Sequence, residues 1–142
     1  MGEDRLQKFG KVRVSQIMIK DPLSITPNEK ISATELLMLR KKVGGLPVVK
    51  DQRNKELVGI ITQRDIRLAR FAMNLESPNT SVKDLMTSEP FTVKEYDTIE
   101  KVLELMFDKN VQRLPVVNDF NQLIGLIVQN QILKKLFDYM KT

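Results

Sequence analysis

Between residues 99 and 107 the apolar side chains Ile99, Val102, Leu103, Met106 and Phe107 fall at i, i+3, i+4, i+7 and i+8, the spacing of one helix face. Two runs of strand character follow, "LPVV" at 114–117 and "LIGLI" at 123–127, joined by turn residues around Asn118–Asn121. The same order is written earlier in the chain. "LPVV" at 46–49 and "LVGII" at 57–61 flank a turn around Asp51–Asn54, and a short β-branched stretch, Leu23–Thr26 or Phe91–Val93, opens each set. In the earlier set Thr26, Pro27 and Glu29 spell a capping box with proline at the first helical position, which predicts a helix starting there. A second amphipathic segment closes each set. The later one, "NQILKKLFDYMKT", puts Ile132, Leu133, Leu136, Phe137 and Met140 on one face, suited to a dimer interface.

The doubling is an internal repeat. At an offset of 68 residues Val14 falls on Val82, Met18 on Met86, Pro22 on Pro90, Ile31 on Ile99, Met38 on Met106 and Pro47 on Pro115. Past Asp51 the offset drops to 66, because "DQRNKELVG" is two residues longer than "DFNQLIG", and Gly59 then meets Gly125 and Ile66 meets Ile132. The length change falls in a polar turn, where loops tolerate it. A copy of about 60 residues offers little core of its own, whereas two copies can cover each other's apolar faces. The predicted organisation is an N-terminal arm at 1–13, a first repeat at 14–73, a polar connector at 74–81 carrying Pro78, and a second repeat at 82–142. The predicted class is α+β (α/β-type), each repeat running strand, helix, strand, strand, helix.

Composition narrows the chemistry. The 142 residues include no cysteine and no histidine, so disulfides, thiolate or imidazole metal sites and His-based acid–base schemes are excluded. Neither a "GxxxxGK[ST]" nor a "GxGxxG" motif occurs, and the expectation is a protein that is not an enzyme, with no metal and no required cofactor. Lysine plus arginine (23) exceed aspartate plus glutamate (18), which mildly favours anionic partners, but the basic residues are spread along the chain rather than gathered in one stripe. The first residues are charged, and no apolar run approaches the roughly 20 residues of a membrane span, so a cytoplasmic protein without a span is expected.

The pattern Met-(x)3-Pro, Ile at the helix start, Met within the helix, "LPVV", a polar turn and "GIITQRD" resembles a tandem pair of cystathionine β-synthase (CBS) domains, the Bateman module. The likeness runs from about Val14 to Met140. It implies two βαββα CBS repeats packed about a pseudo-twofold axis through their sheets, and a further homodimer forming a flat disc of four repeats. It also implies sensing of adenosine-containing ligands, AMP, ADP, ATP or S-adenosylmethionine, in clefts between the paired repeats.

Within "GIITQRD", Thr62 stands at a strand-to-helix junction three residues before Asp65. A hydroxyl and a carboxylate there suit a phosphate at the helix N-terminus and a ribose diol, while the same spacing is also that of a helix cap with no ligand at all. The second copy has Val128 and Gln131 in the equivalent places, so the nucleotide is expected at the Thr62/Asp65 end. The resemblance implies that the adenine lies near Met86, Thr87, Phe91 and the segment Val111, Gln112, Arg113 and Pro115. Arg113, Arg64 and Lys50 are candidates for neutralising phosphate charge. The resulting expectation is a stand-alone regulatory module acting on a separate, unidentified protein. The alternatives are a nucleic-acid binder and a purely dimerising scaffold.

Overall fold

The computed structural model describes residues 2–73 and 79–141; residues 74–78, most of the predicted connector, lie outside the described residues. The chain forms two compact units, one from Met1–Pro22 with Phe91–Thr142 and the other from Leu23–Pro90. These units are not the two sequence repeats. The opening residues of each repeat, up to Pro22 in one and Pro90 in the other, belong to the unit built from the rest of the other repeat. The two prolines are repeat equivalents, and the residues before them, Asp21 and Glu89, have φ of 46° and 49°. Residues other than glycine seldom adopt that left-handed conformation.

The first unit holds α1 (Gly2–Gly10), a 3₁₀ turn at Val14–Gln16, β1 (Ile19–Lys20), α5 (Ile99–Lys109), β5 (Arg113–Val117), β6 (Leu123–Val128) and α6 (Gln129–Met140). Its antiparallel sheet has the order β1-β6-β5, with Lys20 opposite Gly125 and Pro115 opposite Leu126. The second unit holds α2 (Ile31–Lys41), β2 (Gly45–Val49), β3 (Leu57–Thr62), α3 (Gln63–Met73), α4 (Val82–Leu85) and β4 (Thr87–Ser88), in the sheet order β2-β3-β4. The hairpins are copies down to the irregularity. Val48 faces Gly59 while Val49 faces Leu57, and Val116 faces Gly125 while Val117 faces Leu123, so Val58 and Ile124 are the extra residues of matching bulges. Both predicted turns are present. Asp51 Oδ1 accepts the Arg53 and Asn54 N–H groups at 3.0 and 2.8 Å, and Asn118 Oδ1 accepts those of Phe120 and Gln122 at 2.9 and 3.0 Å.

Two expectations about local structure need correction. Helix α2 begins at Ile31, not near Thr26: Lys30 is its N-cap and no side chain caps it, while Thr26 to Glu29 forms a turn closed by Glu29 N–H to the Thr26 carbonyl at 3.2 Å. The cap sits four positions later in the repeat, and only the second copy has the residue for it, Thr98, whose Oγ1 accepts the Lys101 N–H at 3.3 Å. The stretches Leu23–Thr26 and Phe91–Val93 are not strands of their own. Each reduces to a single parallel bridge, Ile25 to Val48 and Val93 to Val116. The third strand of each sheet is instead β1 or β4, two residues long and unmarked by any apolar alternation. On α5, Ile99, Val102 and Met106 are buried in the core, while Phe107 on the same face is 70% exposed.

Each unit has its own core. Val14, Val93, Ile99, Val102, Met106, Leu114, Val116, Ile127 and Ile132 fill the first, and Ile25, Ile31, Met38, Leu46, Val48, Ile61, Ile66 and Val82 the second. The stretch read from sequence as an arm is helix α1, docked on α5 and α6. Its anchor is Phe9, buried, with its ring edge-on to Tyr139 at 5.2 Å. Leu103 and Leu136 pack against the same cluster. In the second unit the equivalent positions are Glu35 and Arg70, which form a partly exposed bidentate ion pair between α2 and α3. The docked helix thus explains why one copy is apolar where the other is charged.

Candidate functional site

Strand β3 ends at Thr62 and α3 starts at the next residue, so the Thr62 side chain sits at the helix mouth. The Gln63 N–H is taken by the Gly44 carbonyl at 2.9 Å. Thr62 and Asp65 then satisfy each other's backbone. The Thr62 N–H donates to Asp65 Oδ2 at 3.0 Å and the Asp65 N–H donates to Thr62 Oγ1 at 3.1 Å. This reciprocal cap fixes both side chains. It uses one carboxylate oxygen and one hydroxyl lone pair. Asp65 Oδ1 and the Thr62 hydroxyl hydrogen have no partner among the described residues, and both residues are half-buried. An acceptor of negative charge and a hydroxyl donor therefore stand side by side, already oriented. In the second copy Val128 occupies the cap position of α6 and makes no side-chain cap bond.

Met86 and Thr87 belong to the same unit as Thr62 and Asp65. Thr87 faces Ile60 across β3 and β4, two residues before Thr62, and the Met86 sulfur lies against Gly59. Phe91, Val111, Gln112, Arg113 and Pro115 belong to the first unit. There the Phe91 ring carries the Lys109 ammonium 5.2 Å from its centroid. The Val111 N–H donates to the Met106 carbonyl at 3.0 Å, the Gln112 carbonyl accepts the Gln129 N–H at 2.9 Å, and the Pro115 carbonyl accepts the Val93 N–H at 3.1 Å. Proline itself has no N–H, so much of the backbone in this segment is committed to its own fold. Arg113 is half-buried and engaged within the protein, whereas Lys50 and Arg64 are exposed.

Two features were not legible from residue types alone. Gly59 and Gly125 each accommodate a methionine sulfur, and Lys109 covers Phe91. Among the described residues no group of three or more acidic, histidine or cysteine side chains is placed to hold a metal, and no helix is long and apolar enough to cross a membrane.

Comparison with known proteins follows the same outline. The CBS domain matches residues 14–71 and again 82–138. The inosine-5'-monophosphate dehydrogenase of Methanocaldococcus jannaschii is 38% identical over 123 residues, 87% of this chain and 23% of the dehydrogenase. The chain thus spans under a quarter of that relative's length. Among solved structures, CBSX2 in complex with AMP aligns with a TM-score of 0.80 at 28% identity, covering 92% of this chain and 98% of that one. The CBS domain pair of protein MJ0100, in complex with 5'-methylthioadenosine and S-adenosyl-L-methionine, aligns with a TM-score of 0.77, also at 28% identity and with the same coverage. With both repeats matched and nearly the whole chain superposed on such pairs, this α+β protein belongs to the CBS domain family, as a tandem pair and not as a catalytic domain.

Proposed function

We propose that the chain is a regulatory ligand-sensing module whose Thr62/Asp65 corner grips an adenosine-containing nucleotide. The observation that carries the reading is the unspent half of the cap: Asp65 Oδ1 is free to accept from a ribose hydroxyl, and the Thr62 hydroxyl is free to donate to a phosphate oxygen. AMP and S-adenosylmethionine bound to the related pairs favour the adenosyl class over other nucleotides. Met86 and Thr87, on the neighbouring strand of the same unit, supply an apolar and a polar neighbour. The base-side role of Phe91, Val111, Gln112, Arg113 and Pro115 enters the proposal through the family resemblance. Binding regulates by favouring whichever state of the module holds the ligand better. Calorimetric titration with AMP, ADP, ATP and S-adenosylmethionine tests the proposal; no heat with any of the four overturns it.

The partner we propose for assembly is a second copy of the chain. Leu39 and Phe107 are repeat equivalents and are 71% and 70% exposed; Phe71 and Phe137 are equivalents too, at 88% and 56%. Four large apolar side chains exposed at the same two positions of both repeats suit a self-complementary apolar interface, the kind a twofold dimer uses. Sedimentation of Phe71→Glu with Phe137→Glu should give a monomer where the parent gives a dimer. A parent that sediments as a monomer overturns this part alone.

A further inference from the structure

A β-carbon at Gly59 would lie 2.7 Å from Met86 Sδ and 3.2 Å from its Cγ, and one at Gly125 would lie 2.5 Å from Met18 Sδ and 3.2 Å from its Cγ. In each unit a thioether therefore fills the space that any other residue's side chain would claim on the central strand. The arrangement is doubled by the repeat, which relates Met18 to Met86 and Gly59 to Gly125. Each methionine immediately precedes the third strand of its sheet, β1 or β4. Those strands are two residues long, make two register pairs each, and have exposed side chains. They bring little apolar surface of their own, so the methionine wedged against the glycine is a main fastening of the strand that follows it.

Exposure separates these sulfurs from the others described. Met38 and Met106 are fully buried in the two cores, and Met140 is exposed on α6. Met18 and Met86 are half-buried, which makes them reachable by a small oxidant and at the same time closely fitted.

We infer that Met18 and Met86 are paired oxidation sites that release β1 and β4 from their sheets when hydrogen peroxide or a related peroxide converts them to sulfoxides. The thioether sulfur attacks one peroxide oxygen and the O–O bond breaks. A sulfur–oxygen bond forms, and the other oxygen takes up the transferred hydroxyl's proton and leaves as water, or as the alcohol where the oxidant is an alkyl hydroperoxide. Sulfur loses two electrons and the peroxide gains them. The product is larger and polar, and its oxygen demands hydration that the strand-facing slot does not offer. A slot filled to van der Waals contact does not absorb an added atom, so the side chain leaves the glycine and the short strand loses its fastening. The inference stands apart from the nucleotide reading, because its readout is the strand and not the ligand.

The test is hydrogen exchange followed by mass spectrometry on the full chain, before and after peroxide, with sulfoxide quantified at each methionine. Met140 should oxidise first, Met18 and Met86 next, and Met38 and Met106 last. Exchange in peptides covering 17–22 and 83–90 should rise about tenfold as Met18 and Met86 convert, and return on treatment with methionine sulfoxide reductase. Met18→Leu with Met86→Leu should leave those peptides unchanged by peroxide. Complete conversion of both methionines with unaltered exchange overturns the inference, as does an equal rise in the double-leucine chain. Should that chain fail to fold, the reductase reversal on the parent protein decides between the same two answers.

Discussion

Asparagine at position 65 separates a helix cap from a sugar grip. In Asp65→Asn the amide oxygen can still accept the Thr62 N–H, now made at 3.0 Å to Oδ2, so the reciprocal cap survives. What changes is the other branch: Oδ1, an acceptor without a partner, becomes an NH₂ group that cannot accept from a ribose hydroxyl. Losing the carboxylate at the start of α3 costs about 0.5 kcal/mol of helix–charge interaction, so folding stability should hardly move. A hydrogen bond to a charged acceptor contributes about 1.5–3 kcal/mol, so losing the ribose contact weakens binding by about 2 kcal/mol or more, a Kd increase of roughly 30-fold. Asp65→Ala, which also removes the cap, should show the same loss of affinity plus about 1 kcal/mol of stability. The assay is calorimetric titration of AMP, with urea unfolding of each variant alongside. Repeating the titration with 2'-deoxy- and 3'-deoxy-AMP identifies the hydroxyl involved, since the parent should discriminate against one of them and the asparagine variant should not. If Asp65→Asn binds AMP within about threefold of the parent, the carboxylate is a cap and nothing more, and the reasoning fails.

Three further expectations concern stability. Lys42 and Asn110 close α2 and α5 at φ of 55° and 53°; Lys42→Gly should stabilise by about 0.5–1 kcal/mol, while Asn110→Gly should be near neutral because asparagine already tolerates this conformation, a contrast readable from urea midpoints. Phe9→Ala should cost about 3–5 kcal/mol and raise hydrogen exchange across α1 before the rest of its unit, since Phe9 anchors α1 beside Tyr139. The Ser81 N–H, helped by the Ser81 hydroxyl, holds the Asp84 carboxyl below its ordinary pKa. A depressed carboxyl stabilises above its unfolded pKa and loses that contribution as pH falls through the folded value, so Asp84→Asn should lower stability at pH 6, and the difference should shrink as the pH is taken down through the acid range.

The repeat was legible because its strands are buried on a fixed schedule: "LPVV" recurs unchanged, and "LVGII" recurs as "LIGLI", with apolar residues and the glycine kept wherever the same core must be filled. Helical spacing found α5 but says nothing of the exposure of Phe107, because periodicity reveals which residues share a face and not what covers that face. The same limit applies to α6, where Ile132 is buried but Leu133, Phe137 and Met140 are exposed. Thr26-Pro-x-Glu29 has the letters of a cap, and a turn can use them equally well. The strands β1 and β4 escaped notice because two exposed residues carry no alternation, and their pairing partners lie outside their own repeat. Thr62 and Asp65 were found because the chemistry of a cap is local. The methionine sulfurs against Gly59 and Gly125 were not, because a long-range contact into an empty position leaves no trace in spacing.

The exchange of opening segments at Pro22 and Pro90 bears on how such a chain can arise. A gene encoding a single copy would yield a polypeptide whose sheet lacks its outer strand and which carries that strand for somebody else. Such a product completes itself only by trading ends with a sister molecule. Joining two copies head to tail turns that bimolecular trade into an event within one polypeptide, independent of concentration.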